Sequence, residues 1–344
     1  MLFLSSGPHV PSARFRILPY LSHFRREGHH CVLANSYPEK YDYFPAMGFR
    51  PSQFLKRSVR RWHLLRARLS SFDVVFIDRE IFDSEDDSME KRFRDACGKL
   101  VLDIDDAVFL RYPEKFERLM RLSDTVVCGN RFLMDKVRPL NDKLLHIPTC
   151  VDLEDYQLVD RKPNPIPVVG WMGTTGNLKY IAVVAEALRE ASREFDFEFR
   201  VIVPDATPLK EFDLTGVKLR HEPWDPKNEV AQLQALDIGL MPLFADQQWD
   251  IYKCGLKLIQ YLAVGVPGIA APVGVNSEMI DENRNGFVAQ ETSEWVQALC
   301  ALLSDEGRRS EMGRRGRKTV ESKYSIQANY PVLRDGLERL IADG

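Results

Sequence analysis

"DIYKCGLKLIQYLAVGVPGIAAPVGVN", residues 250–276, carries the pattern on which the fold turns. Leu258, Ile259 and Leu262 recur at helical spacing, Gly265 stands where a helix stops, and Gly-Ile-Ala-Ala (268–271) is a short apolar run of strand type. The pattern predicts a helix from about Gly255 to Val264 that hands over to a buried strand. Its start is unusual in charge, because Lys253 and Lys257 flank it and no acid lies between them. The N–H groups at a helix start carry roughly half a positive charge, so Asp, Glu, Ser or Thr are the stabilising residues there. Two cations at that end predict an anionic ligand. The N–H groups of Gly255 and Leu256, together with the two ammonium groups, suit a diphosphate. Lys253, Lys257 and Gln260 fall at i, i+4 and i+7, on one face. The alternative is that the two lysines only decorate an exposed helix.

Strand-like and helix-like segments alternate on both sides of this stretch. Toward the N-terminus lie LFLSS (2–6), CVLA (31–34), FDVVFI (72–77), LVLDI (100–104), TVVC (125–128) and a run at 144–147. After Asp160-Arg-Lys-Pro-Asn-Pro-Ile-Pro167, a stiff proline-rich linker, the alternation restarts. PVVGWMG, a helix near 179–194, FEFRVIV, VKLRH, a helix near 227–236 and DIGLMPL lead into the quoted stretch, and a long helical tail follows. Short β-branched strands separated by helices imply parallel sheets with both faces covered. Two doubly wound domains are expected, 1–155 with 330–344 and 165–329. The tail stripe of Leu333, Leu337, Leu340 and Ile341 needs a partner, which the first domain would supply.

At 344 residues about two domains is the prior. A net charge of −3 gives no general case for nucleic-acid binding. The N-terminus lacks the basic and apolar regions of a signal peptide, and the longest uncharged run, 258–277, is broken by two prolines and three glycines. Six cysteines without a CxxC pair read as reduced thiols of a cytoplasmic protein, with neither a disulfide frame nor a zinc site.

Five segments in order carry a resemblance: IPTCVD (147–152), GWMG (170–173), DIGLMPL (237–243), KLIQYLAVGVPGIA (257–270) and NGFVA (285–289). Together they resemble the family 4 (group 1) retaining glycosyltransferases of the GT-B type. The dinucleotide fingerprint of a dehydrogenase is missing after the first strand, where Gly7-Pro-His-Val-Pro stands. The resemblance implies an α/β protein of two Rossmann-like domains facing across a cleft. The N-terminal one would bind the acceptor and the C-terminal one a nucleotide-sugar. The implied activity is retaining hexosyl transfer to a glycan or lipid-linked acceptor, with neither cofactor nor metal.

The implied donor site comprises Gly173, Thr174, Lys253, Cys254, Gly255, Leu256, Lys257 and Gln260, with Pro204 and Trp224 framing the base. The two glutamates the family usually carries fall at Tyr252 and Gln260, and its usual cations after the first strand of the second domain fall at Trp171 and Gly176. The positive charge is therefore expected to have moved to Lys253 and Lys257, with Lys257 serving the departing diphosphate. The missing acidic pair also admits a non-catalytic glycan- or nucleotide-binding relative. A glutamate at 260 should be tolerated. In the first domain, Asp105 takes the place of a family His-containing turn. Asp105 or Asp106 would contact the sugar or the acceptor, while a helix cap is the plain alternative. Gly7, Arg14 and Arg16 are the acceptor candidates, with His9, Gly129 and Asn130 further ones.

Between Asp42 and Asp73 no acid occurs, while seven cations accumulate. Leu55, Val59, Trp62, Leu65 and Leu69 recur among them at helical spacing, which predicts a basic amphipathic helix. Such a helix either packs on its own domain with a solvated basic face or makes peripheral contact with an anionic membrane through residues 54–72. The second case would place the protein at the inner face of that membrane.

Overall fold

A computed structural model describes residues 1–160 and 163–343; Arg161 and Lys162, within the expected linker, lie outside the described residues. The chain divides into two compact units, Met1–Cys150 with Ile326–Gly344, and Val151–Ser325. Among the described residues each unit holds one six-stranded sheet.

The first sheet has the order β2-β1-β3-β4-β5-β6, with β1 at Leu2–Ser5, β2 at Val32–Asn35, β3 at Phe72–Asp78, β4 at Cys97–Ile104, β5 at Thr125–Cys128 and β6 at Leu144–His146. The second has the order β12-β11-β10-β7-β8-β9, with β7 at Val168–Met172, β8 at Glu198–Val203, β9 at Lys218–Pro223, β10 at Ile238–Met241, β11 at Gly268–Ala270 and β12 at Gly286–Val288. Each pairing is parallel. The central strands are buried almost throughout, as a sheet covered by helices on both faces requires. In each sheet the strand order reverses once, between β1 and β3 and between β7 and β10. Such points open a crevice at the carboxyl ends of the strands.

The tail helix Ile326–Ala342 packs into the first unit. Ile326, Tyr330, Leu333, Leu337 and Leu340 join Phe3, Phe24, Val74 and Val127 in one core cluster, while Ile341 faces solvent. In the second unit the expected helix near 179–194 is instead a 3₁₀ segment, Thr175–Val183, followed by a short α-helix, Ala185–Ala191. The six cysteines are free thiols. No helix among the described residues is long and apolar enough to cross a membrane.

The helix Phe49–Ser70 does not bury the whole of its expected apolar stripe: Trp62, Leu65 and Leu69 are exposed and Leu55 and Val59 half-buried, while Lys56 and Arg60 are buried.

Candidate functional site

The helix expected near 255–264 runs from Leu256 to Ala263 and ends as the sequence pattern demands. Gly265 takes φ +75°, its N–H donates to Leu262 O, and Val266 N–H donates to Tyr261 O, closing a Schellman stop. At the other end Gly255 is the N-cap with φ +65°, and it brings no side chain to cap the helix. A Cβ there would meet only the movable end of Met279 (Cε at 2.6 Å), so it is the positive φ that reserves the position for glycine.

The helix is fixed against the sheet by Tyr261. Its ring lies on Gly239 of β10, where an added Cβ would approach within 2.4 Å, and its hydroxyl accepts from Met172 N–H at the end of β7 (3.0 Å). This seats the helix start beside the reversal point of the second sheet. Lys257 lies there with Nζ 5.6 Å from the Trp171 ring centroid, and Gly173 packs on the same indole. Lys253 Nζ stands 5.2 Å from the Tyr180 ring centroid, and Lys179 Nζ is at the same 5.2 Å from that ring. Three lysines thus gather over aromatic faces at the carboxyl ends of β7 and β10.

The segment between them is anchored by Asp250, which is fully buried. It accepts from the Tyr180 hydroxyl at 2.5 Å and from Phe244 N–H at 3.1 Å, with Lys253 Nζ 3.8 Å away. A buried carboxylate with two donors fixes the approach to the helix, and the nearby ammonium lowers the cost of burying its charge. Lys179 and Asp250 both escaped the sequence reading. Lys179 lies three residues beyond Gly176, where a cation was sought.

The other expected donor residues are arranged as follows. Thr174 is exposed at the head of the 3₁₀ segment. The Thr175 hydroxyl donates to Asp205 O at 3.1 Å, bringing the loops after β7 and β8, and with them Pro204, side by side. Cys254 is buried. Gln260 needs correcting: it does not share the face of the two lysines but is buried. Its amide donates to Glu229 Oε1 (3.0 Å) and to the Tyr156 hydroxyl (2.8 Å). Trp224 Nε1 donates to Glu229 Oε2 (2.9 Å), and the Tyr156 hydroxyl to Oε1 (3.1 Å). Gln260 and Trp224 therefore meet on one buried carboxylate, Glu229, which lies 31 residues from Gln260 in the chain.

The acids and cations of the first unit are paired with each other. Arg16 is buried and bidentate to Asp103, at 2.6 Å through Nε and 2.6 Å through Nη2. It is engaged in the core and does not present its guanidinium to an acceptor, which corrects that expectation. Burial pushes the Asp103 carboxyl up to about 6, against the pull of Arg16. Arg79, in the left-handed region at φ +59°, donates from Nε to Asp105 at 2.5 Å, and its Nη2 lies 4.0 Å from Asp106. Burial acts to raise Asp105, yet Arg79 outweighs it and holds that carboxyl below the usual range. Asp106 accepts from the N–H of its neighbour Ala107; the turn that follows, Val108–Leu110, has Ala107 as its N-cap and no side-chain cap bond, so the helix cap weighed above is not formed. Gly7, at φ +136°, lies under Glu39, which also accepts from His9 N–H. Arg14 is half-buried, over the Phe15 ring. Asn130 caps the helix Arg131–Val137 through Leu133 N–H.

With this geometry in place, comparison with known proteins is informative. Residues 166–305 match the family model described as Glycosyl transferases group 1. That stretch contains the whole lysine site. The D-inositol 3-phosphate glycosyltransferase of Nocardia farcinica (strain IFM 10152) is 27% identical over 198 residues, 51% of this chain and 43% of that protein. The chain thus spans less than half the length of the curated relative it matches. A glycosyltransferase from Rickettsia africae ESF-5 superposes with a TM-score of 0.72 at 13% identity, covering 100% of this chain and 99% of that one. Sucrose-phosphate synthase (tll1590) from Thermosynechococcus elongatus gives 0.74 at 12%, with the same coverages. Anabaena Alr3699/HepE in complex with UDP gives 0.63 at 12%, over 98% and 99%. These likenesses establish the fold as GT-B.

Proposed function

We propose that the protein is a glycosyltransferase that moves a hexose from a nucleoside-diphosphate sugar to a glycan or lipid-linked acceptor, with retention and without a metal. The observation that carries this reading is the convergence of Lys179, Lys253 and Lys257 at the sheet reversal, inside the stretch matching the glycosyltransferase model. The Anabaena neighbour, bound to UDP, supports a nucleoside diphosphate as the anion. The free cysteines agree with a cytoplasmic setting.

In this reading Lys257 and Lys253, with the dipole of the helix Leu256–Ala263, neutralise the diphosphate as it departs. Gly255 lets the phosphates approach the backbone. The loops carrying Gly173, Thr174 and Pro204 border the donor. Gln260 and Trp224 act at one remove, by fixing Glu229 and the wall behind the site. Of the two first-unit acids, Asp106 is the better candidate for a sugar hydroxyl, because Asp105 is committed to Arg79. Arg14 is the better acceptor candidate than Arg16.

Lys257→Ala tests the assignment. A charge-assisted phosphate contact contributes roughly 1.5–3 kcal/mol, so donor hydrolysis should fall about 10- to 100-fold. Affinity for the nucleoside diphosphate, measured by calorimetry, should fall less, because charge on the leaving group grows toward the transition state. Chelator should leave the rate unchanged. Unchanged rate and affinity in the variant would return the lysines to surface decoration. Binding of nucleoside-diphosphate sugar with no hydrolysis by the parent protein would favour a non-catalytic relative, the reading that the replacement of the usual acidic pair by Tyr252 and Gln260 supports.

A further inference from the structure

The helix Phe49–Ser70 is packed inside out. The residues it buries are Ser52, Lys56, Arg60, Leu64 and Ala67. Lys56 Nζ donates to the carbonyls of Lys40 (2.7 Å) and Asp42 (2.5 Å), and the Arg60 guanidinium to those of Ala34 (2.7 Å) and Ser5 (2.6 Å). Cations that satisfy carbonyl oxygens thus hold the helix to its unit. Four large apolar residues point the other way: Phe54 is 68% exposed, Trp62 58%, Leu65 54% and Leu69 77%.

At about 100° per residue these four fall within an arc of about 80°. Arg57, Arg61 and Arg68 border one side of the arc and Arg66 the other. Arg61 and Arg68 make no ion pair among the described residues, Arg57 has only a 3.9 Å approach to Asp86, and Arg66 lies over Trp62. Of the fourteen large hydrophobics exposed among the described residues, nine lie within 37–69, so the apolar exposure is concentrated in one part of the chain.

An apolar stripe of this size in water is unfavourable and marks a contact surface. Its flanks select the partner. A second copy meeting this face in a two-fold dimer would set arginines against arginines. A surface that is apolar inside and anionic at its rim fits both features, and a bilayer with anionic headgroups is such a surface. We propose that this helix docks the protein on an anionic lipid surface, with Phe54, Trp62, Leu65 and Leu69 at the headgroup–acyl boundary and the arginines on the headgroups. The proposal is independent of the reading of the lysine site.

The test is sedimentation of the purified full chain with vesicles of phosphatidylcholine alone, or mixed with phosphatidylglycerol. Binding is expected to the mixed vesicles and to weaken with salt, together with a blue shift of emission that is lost in Trp62→Phe. Arg61→Glu/Arg68→Glu should lower partition by about tenfold or more. Phe54→Ser/Leu65→Ser/Leu69→Ser should abolish it while leaving the thermal midpoint unchanged, since these side chains are exposed. Absence of binding to the mixed vesicles would overturn the proposal. So would undiminished binding by the serine variant, or self-association of the parent chain that this variant removes.

Discussion

At the residue scale, two side chains behave against their local sequence. The family resemblance makes a glutamate at 260 look harmless, but in the fold it would set a second carboxylate about 3 Å from Glu229, where an amide now donates. Like charges at that range raise one pKa strongly, and Glu229 loses a donor as well. Gln260→Glu should therefore lower stability by about 1–3 kcal/mol at neutral pH, less in acid where one carboxyl takes a proton. Thermal midpoints across pH would show it, and a midpoint equal to the parent's would refute the buried network. His63 is the second case. Burial first, then Arg60 and Arg66, lower its pKa from the usual 6.5 to about 4. The folded state keeps the ring neutral while the unfolded chain binds a proton below about 6.5. The contribution of His63 is thus complete above that pH and is lost as pH falls from 6.5 toward 4. His63→Gln should flatten that acid limb in melting curves taken from neutral pH downward.

At the scale of elements, the helix Leu256–Ala263 depends on contacts with two strands that no local pattern announces. Gly239 leaves room for the Tyr261 ring, and Tyr261 in turn holds Met172 N–H at the site's edge. Gly239→Ala forces the ring outward by overpacking, so it should destabilise by about 1–3 kcal/mol. It should also weaken nucleoside diphosphate binding, because the helix start moves with the ring. Urea melts and calorimetry on one variant measure both effects, and loss of neither would detach the helix position from Tyr261. The helix stop at Gly265 was legible in the sequence because a left-handed residue followed by Val-Pro is local chemistry. The hydrogen-bond partners were not legible. Tyr180 and Asp250 are 70 residues apart, and Gln260 and Tyr156 are 104 apart. The direction of the helix Phe49–Ser70 was also hidden. Its period was visible in the sequence, but which face turns inward depends on the carbonyls of Ser5 and Ala34, elsewhere in the unit.

At the scale of the whole molecule, the strand series was readable because parallel strands buried on both faces must be short and apolar, and helices must separate them. The placement of the tail followed from the need of an apolar stripe for cover. The two units differ in how the chain builds them. Val151–Ser325 is contiguous and owns its six-stranded sheet, whereas the first unit is closed by Ile326–Ala342, which crosses back to it in sequence. Tyr330, Leu333, Leu337 and Leu340 are each less than 9% exposed in the core they share with Phe3, Phe24 and Val74. Burial of one such side chain contributes about 1.5–3 kcal/mol. Four of them therefore match the 5–15 kcal/mol or so by which a whole domain is stable. Ending the chain at Ser325 should accordingly unfold the first unit while the second keeps its fold. The expected result is one cooperative calorimetric transition in place of the parent's full enthalpy, with amide exchange protection retained across β7 to β12 and lost across β1 to β6. The fragment 151–325 alone should give the same surviving transition. Full protection of β1 to β6 without the tail would mean that its buried stripe covers the core without closing it.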